Sequence, residues 1–241
     1  MPKARTRSAD PVLVARTFRR RSGAAIEYLL HQPADPGAGA AALRPLIVFL
    51  HGAGERGRDV WRAARHGPFK FIRQHPGFPF LLIAPLCPPR EGWSNAGLHA
   101  LLDEVSAEYP VDATRVYLTG LSMGGYGVWD LALTEPERFA AVAPICGGGS
   151  LISVLLTRYD DRAEALRSLP VWAFHGGRDD VVPPAESRRT VRLLREYGCR
   201  EVKLTVYPDA GHDSWTRTYD DPRLYEWFLA HERNSRLTRT R

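Results

Sequence analysis

The chain has 241 residues, 44% of them apolar and 25% charged, with a formal net charge of +6. That balance belongs to a soluble globule, large enough to bury roughly 70–75% of its unfolded surface around one core. There is no internal repeat, no block of like charge and no run of 18 apolar residues, which excludes a repeat array and a membrane-spanning helix.

The charge excess sits at the ends. Lys3, Arg5 and Arg7 stand near the start, and Arg233, Arg236, Arg239 and Arg241 near the finish. The stretch between is close to neutral, with no basic stripe and no RNA- or DNA-binding motif, so nucleic acid is not an expected partner. Residues 1–10 and 232–241 are read as disordered basic tails around one domain over 11–231. No apolar leader segment follows the basic start, so the expected location is cytoplasmic. Cys87, Cys146 and Cys199 have scattered spacing and no Cys-x-x-Cys, and they read as small buried hydrophobes, not a disulfide or metal framework.

In chain order, Val12–Phe18 and Ile26–His31 read as an antiparallel pair of strands, followed by a Pro-, Gly- and Ala-rich loop from Pro33 to Ala42. Strands are predicted next at Leu46–Leu50, Phe80–Ala84, Val116–Thr119, Ala140–Pro144, Val171–His175 and Val202–Tyr207. Several are continuous apolar runs, as in strands covered on both faces. Residues 58–79 are interrupted by Gly67-Pro68 and Pro76-Gly77 and resist assignment. Leu98, Leu101, Leu102 and Val105 have helical spacing. Arg188 to Tyr197 reads as a helix closed by Gly198, and Asp221-Pro222 as the N-cap and first turn of a last helix. Gly147–Leu169, with Leu151 to Leu156 inside it, reads as a short helix or a partial lid. Strands alternating with helices predict an α/β sheet covered on both faces.

The chemistry lies at the ends of those strands. Thr119-Gly120-Leu121-Ser122-Met123-Gly124-Gly125 is a Gly-x-Ser-x-Gly between a strand and a helix, the setting of an exposed nucleophile. Its glycines, Gly120 and Gly124, flank a sharp turn where side chains would clash, and are expected to supply backbone angles that only glycine tolerates cheaply. A serine hydroxyl needs an imidazole to take its proton, and the imidazole needs a carboxylate to fix its tautomer. Asp179 and His212 follow later strands, in the order Ser, Asp, His. Asp180 is the alternative acid. His51 and His175 each follow a strand and precede Gly, and they are assigned to holding loops. His31, His66, His75, His99 and His231 fall on predicted surface elements or loops.

His51-Gly52-Ala53-Gly54-Glu55-Arg56-Gly57 contains Gly-x-Gly-x-x-Gly. No acidic residue ends the next strand, so a dinucleotide fingerprint is rejected. The better reading is an oxyanion loop, with the N–H groups of Ala53 and Met123 as donors. Trp93, Tyr126 and Trp215 are candidate substrate-pocket walls.

These segments, with Pro170-Val171-Trp172-Ala173-Phe174-His175-Gly176 and Gly211-His212-Asp213-Ser214-Trp215, resemble the serine α/β-hydrolase superfamily. Within it the chain resembles the single-domain carboxylesterase/phospholipase-type branch, also called predicted peptidases, akin to feruloyl and polyhydroxybutyrate-type esterases. The resemblance implies an α/β-hydrolase fold with a mostly parallel eight-stranded sheet, an antiparallel second strand and little or no cap. It implies no cofactor and no metal. It favours Asp179, three residues before Val182-Pro183, over Asp180. Gly147–Leu169 is longer than the family's usual connection. The expected activity is hydrolysis of small or aryl esters through an acyl-enzyme, rising with pH through roughly 6–7 with a histidine base. Amide or peptide cleavage by the same triad and a non-catalytic binding module on this scaffold are the alternatives. Nothing in the sequence fixes an oligomeric state.

Overall fold

The apolar runs become eight strands of one sheet: β1 (Leu13–Phe18), β2 (Ile26–His31), β3 (Arg44–Leu50), β4 (Leu81–Pro85), β5 (Val111–Leu121), β6 (Ala141–Ile145), β7 (Val171–Gly176) and β8 (Val202–Tyr207). The computed structural model describes residues 13–19, 25–33 and 42–233. The predicted tail over 1–10, residues 234–241 of the tail predicted over 232–241, and most of the Pro33–Ala42 loop lie outside the described residues. Strand order is β1-β2-β4-β3-β5-β6-β7-β8. β2 runs antiparallel to both β1 and β4, and the remaining pairs are parallel.

Successive side chains of a strand point to opposite faces, and this divides the apolar runs between two cores. Leu46, Val48 and Leu50 of β3 join one cluster with Val116 and Leu118 of β5. Ile47 and Phe49 of β3 join the other with Tyr117. The first cluster is covered by α2 (Asn95–Glu108), α3 (Met123–Thr134), α4 (Leu151–Arg158), α5 (Ala163–Ser168) and α6 (Ala185–Glu196), the second by α1 (Phe69–Gln74), α7 (Trp215–Tyr219) and α8 (Pro222–Leu229). Continuous apolar strands and two-sided cover are therefore one fact. No helix among the described residues is long and apolar enough to cross a membrane.

Helix boundaries follow local chemistry. The Asp221 carboxylate accepts from Arg223 N–H at 3.0 Å, with Pro222 in the first turn of α8. Gly198, just past α6, has φ +90°, a conformation that disfavours any side chain. The 58–79 stretch resolves into a 3₁₀ turn, Val60–Ala64, and α1, with Gly67 between them at φ +86°.

Gly147–Leu169 holds two short helices. α4 turns Val154 and Thr157 inward, where the Thr157 hydroxyl donates to Leu133 O at 2.7 Å. Leu151, Ile152, Leu155 and Leu156 face outward. The three cysteines are buried and free. Two expectations need correction. His31 is not a surface residue: it is 3% exposed, its ring 6.1 Å from that of Phe78. The described chain also reaches Arg233, two residues beyond the expected domain end at 231. Arg233 N–H donates to Thr114 O at 2.7 Å, and Glu232 pairs with Arg115.

Candidate active site

β5 ends at Leu121 and α3 begins at Met123, so Ser122 alone makes the turn between them. Its backbone is at φ 53°, ψ −118°, an unfavourable region for a residue with a side chain. The turn is held because Ser122 N–H donates to Ile145 O at 3.0 Å on the neighbouring strand. The flanking glycines serve by their size. Neither has a positive φ, so of the two expectations the clash holds and the glycine-only backbone angle does not. A Cβ on Gly124 would lie 2.0 Å from Leu50 O, and one on Gly120 would lie 2.7 Å from Gly124 O. The first turn of α3 can touch the end of β3 only without side chains there.

Asp179 follows β7 and His212 follows β8. His212 Nδ1 is 2.8 Å from Asp179 Oδ2, and His212 Nε2 is 3.0 Å from Ser122 Oγ. An ionised carboxylate only accepts, so Nδ1 carries the hydrogen and Nε2 is left to accept from the serine hydroxyl. The other carboxylate oxygen, Asp179 Oδ1, accepts from Val181 N–H at 3.0 Å and Val182 N–H at 2.9 Å. Burial alone would raise the Asp179 pKa. The hydrogen bonds from His212, Val182 and Val181 outweigh it, and the net shift is downward. The adjacent Asp180 is exposed. The edge of the Trp215 ring meets the His212 ring at 89°, with centroids 5.2 Å apart.

Ala53 opens a 3₁₀ turn, Ala53–Glu55, directly after His51-Gly52. Met123 is the first residue of α3, where an N–H has no acceptor inside the helix. The two regions touch. A Cβ on Gly52 would lie 2.8 Å from Leu121 Cδ1, and one on Gly124 would lie 2.8 Å from His51 O. Arg56 Nε donates to Ala53 O at 3.1 Å, and Arg62 donates to Gly54 O and Glu55 O at 2.7 and 3.2 Å. The carbonyls of this turn are thus held by guanidinium groups. The sequence reading did not anticipate these two arginines.

His51 holds loops, as expected. Its Nδ1–H donates to Gly52 O at 2.7 Å, and its Nε2 accepts from Cys87 N–H at 3.0 Å. Burial lowers its pKa to about 4, which keeps the ring neutral. Trp93 packs behind the same loop, donating Nε1–H to His51 O at 3.3 Å, and borders a cleft of about 220 Å³ with Leu86, Cys87 and Leu98. Tyr126 is 40% exposed on the first turns of α3. Of the three candidate wall residues, Trp215 touches His212, Tyr126 lies one turn from Ser122 and Trp93 lies across the His51 loop.

Cys146, Asp179 and His212 place potential metal-binding atoms within 4.8 Å of one another. Asp179 and His212 are already hydrogen-bonded to each other, and burial pushes the Cys146 thiol up to about 12, so it stays protonated. The donor set fits a proton relay better than a metal centre. Cys146 itself, at φ 42° beneath the site, is a residue for which the sequence offered no signal.

Residues 94–223, more than half the chain, match the phospholipase/carboxylesterase family. A bifunctional acetylxylan esterase/xylanase of Neocallimastix patriciarum is 26% identical over 87% of this chain and 29% of its own length. Poly(3-hydroxyalkanoate) depolymerase C of Paucimonas lemoignei is 29% identical over 40% of this chain and 28% of its own length. The chain thus spans under a third of either relative. The crystal structure of a thermostable esterase superposes with a TM-score of 0.73 at 34% identity, covering 92% of this chain and 63% of the other. With the strand order, the turn at Ser122 and the family match over most of the sheet's C-terminal half, the chain belongs to the phospholipase/carboxylesterase family and has the α/β-hydrolase fold.

Proposed function

We propose that the protein is a serine carboxylester hydrolase that forms an acyl-enzyme on Ser122, with small or aryl esters as substrates. The observation that supports this reading is the unbroken relay from Ser122 Oγ through His212 to Asp179, with contacts of 3.0 and 2.8 Å. Ser122 Oγ attacks the ester carbonyl while His212 Nε2 takes its proton. The new C–O bond forms as the carbonyl becomes an oxyanion, which the N–H groups of Ala53 and Met123 stabilise. The oxyanion collapses, the bond to the alcohol breaks, and His212 returns the proton to the departing oxygen. Water, deprotonated by the same imidazole, then releases the acid and restores Ser122. Asp179 keeps His212 in the Nδ1–H tautomer and stabilises its charged form. Trp215 against His212 and Tyr126 one turn from Ser122 offer aromatic surface for an aryl or acyl group, and Trp93 supports the His51 loop from behind.

The test is turnover of a panel of short p-nitrophenyl, aryl and longer acyl esters, with peptide substrates assayed beside them. Esters are expected to be hydrolysed, and Ser122→Ala to lower kcat/KM by roughly four to six orders of magnitude. A folded Ser122→Ala protein with wild-type ester turnover would overturn the mechanism. Turnover of peptides in preference to esters would reassign the substrate.

A further inference from the structure

His175, at the end of β7, has no solvent-exposed side-chain surface. Its Nε2 lies 2.9 Å from Val182 O and 3.2 Å from Asp179 Oδ2. Both neighbours are acceptors, so Nε2 carries a hydrogen. On the other side of the ring, Nδ1 is 2.7 Å from Ser187 Oγ on α6, and that hydroxyl is 2.8 Å from Gly147 O. The single hydroxyl hydrogen serves either Nδ1 or Gly147 O at any moment. In both arrangements the Nε2–H points at the acid loop. Burial lowers the His175 pKa, which favours the neutral ring with Nδ1 accepting from Ser187.

Asp179 therefore stands between two histidines. Oδ2 accepts from His212 Nδ1–H at 2.8 Å and lies 3.2 Å from His175 Nε2, whose one hydrogen is bonded to Val182 O at 2.9 Å, while Oδ1 is filled by two backbone N–H groups. We propose that His175 is a positioning residue for the acid of the relay: its Nε2–H, bonded to Val182 O and lying between that carbonyl and Asp179 Oδ2, fixes the acid loop and limits how strongly the carboxylate draws on His212. The proposal rests on the reading of Asp179 as that acid. A donor beside an ionised carboxylate stabilises the charge and makes it less basic. With His175 gone, the charge on Oδ2 is offered to His212 alone. The imidazolium is then favoured to higher pH, and activity, which needs the neutral base, starts later as pH rises.

Other titratable groups face this relay. Cys146 lies beneath it from the end of β6, Asp213 is next to His212, and Tyr126 faces Asp179 from α3, with Glu186 and Arg189 of α6 beyond it. Burial holds Cys146 at about 12 and raises Tyr126 above its ordinary value, so neither changes charge while a histidine titrates.

Two substitutions separate positioning from packing. In His175→Asn the amide reaches only the Nδ1 position, keeping a partner for Ser187 and removing the donor to the acid loop. In His175→Gln the amide reaches the Nε2 position and donates there. The kcat/KM of each is measured against pH on p-nitrophenyl acetate, with thermal midpoints in parallel and fluorophosphonate labelling to establish that Ser122 still reacts. The expected result is an acid limb moved up by about half to one pH unit in His175→Asn, with kcat falling more than KM changes, and an unmoved limb in His175→Gln. An unmoved limb in His175→Asn, or equal effects of both variants that track thermal stability, would overturn the proposal while leaving Ser122 chemistry intact. Wild-type protein gives a second readout. Its ¹H–¹⁵N imidazole spectrum should contain a protonated Nε2 on His175, and an unprotonated Nε2 would overturn the proposal even if neither variant folds.

Discussion

At the level of single residues, the choice between Asp179 and Asp180 illustrates what one position along a chain decides. Asp179 is buried, with both oxygens filled by donors, and Asp180 points to solvent. Asp179→Asn would present an amide N–H or a weaker acceptor to His212 and disturb its tautomer. It is expected to lower kcat roughly ten-thousandfold, while Asp180→Asn stays within a few-fold, both read by steady-state ester hydrolysis. Equal losses in the two variants would contradict the assignment. The Ser122 motif was legible because strand, turn and helix are contiguous in sequence. His175 was read only as holding a loop, in keeping with its bond to Val182 O, and its approach to Asp179 was not foreseen; Cys146 was not legible, because its surroundings are assembled from residues remote in the chain. Gly120 and Gly124 were recognised for two reasons, of which the clash is the one that holds: a Cβ on Gly124 would lie 2.0 Å from Leu50 O, while neither glycine has a positive φ.

Among the elements, strands were the easiest to read. Parallel strands buried on both faces are written as unbroken apolar runs, and β6 and β7 lie within one residue of their predicted limits. β5 runs from Val111, five residues earlier than predicted, because Asp112 and Arg115 interrupt the apolar pattern there, and Val111 pairs with Arg44 of β3 across a register shift. Residues 58–79 and 147–169 were ambiguous for another reason. Their helices are short, so helical periodicity has little length in which to emerge. α4 adds a further difficulty. Val154 and Thr157 face inward while Leu151, Ile152, Leu155 and Leu156 are exposed, the reverse of the usual distribution. No rule of amphipathicity would have oriented it.

Across the whole molecule, burial of neutral histidines ties stability to pH. His31 and His51 are each lowered by burial from 6.5 to about 4. Below about 6.5 the unfolded chain takes up protons that the folded chain refuses until about 4, so stability falls as pH drops through that window, by about 1.4 kcal/mol per pH unit for each proton. Burial alone would raise Glu201, but hydrogen bonds from Lys203, Trp227 and His231 hold it at about 2. Its stabilisation is present above the ordinary carboxylate range and is lost as pH falls toward 2, which adds to the acid sensitivity. Urea midpoints measured at pH 7, 5.5 and 4 should decline in that order, and a flat profile would contradict the burial of these rings. The mechanism itself is tested most directly by intact mass. Protein quenched in acid during turnover of a slowly hydrolysed p-nitrophenyl ester is expected to gain the mass of one acyl group, located on the peptide containing Ser122 and absent from Ser122→Ala. Rapid hydrolysis with no acyl adduct on Ser122, or an adduct that survives the substitution, would contradict the account.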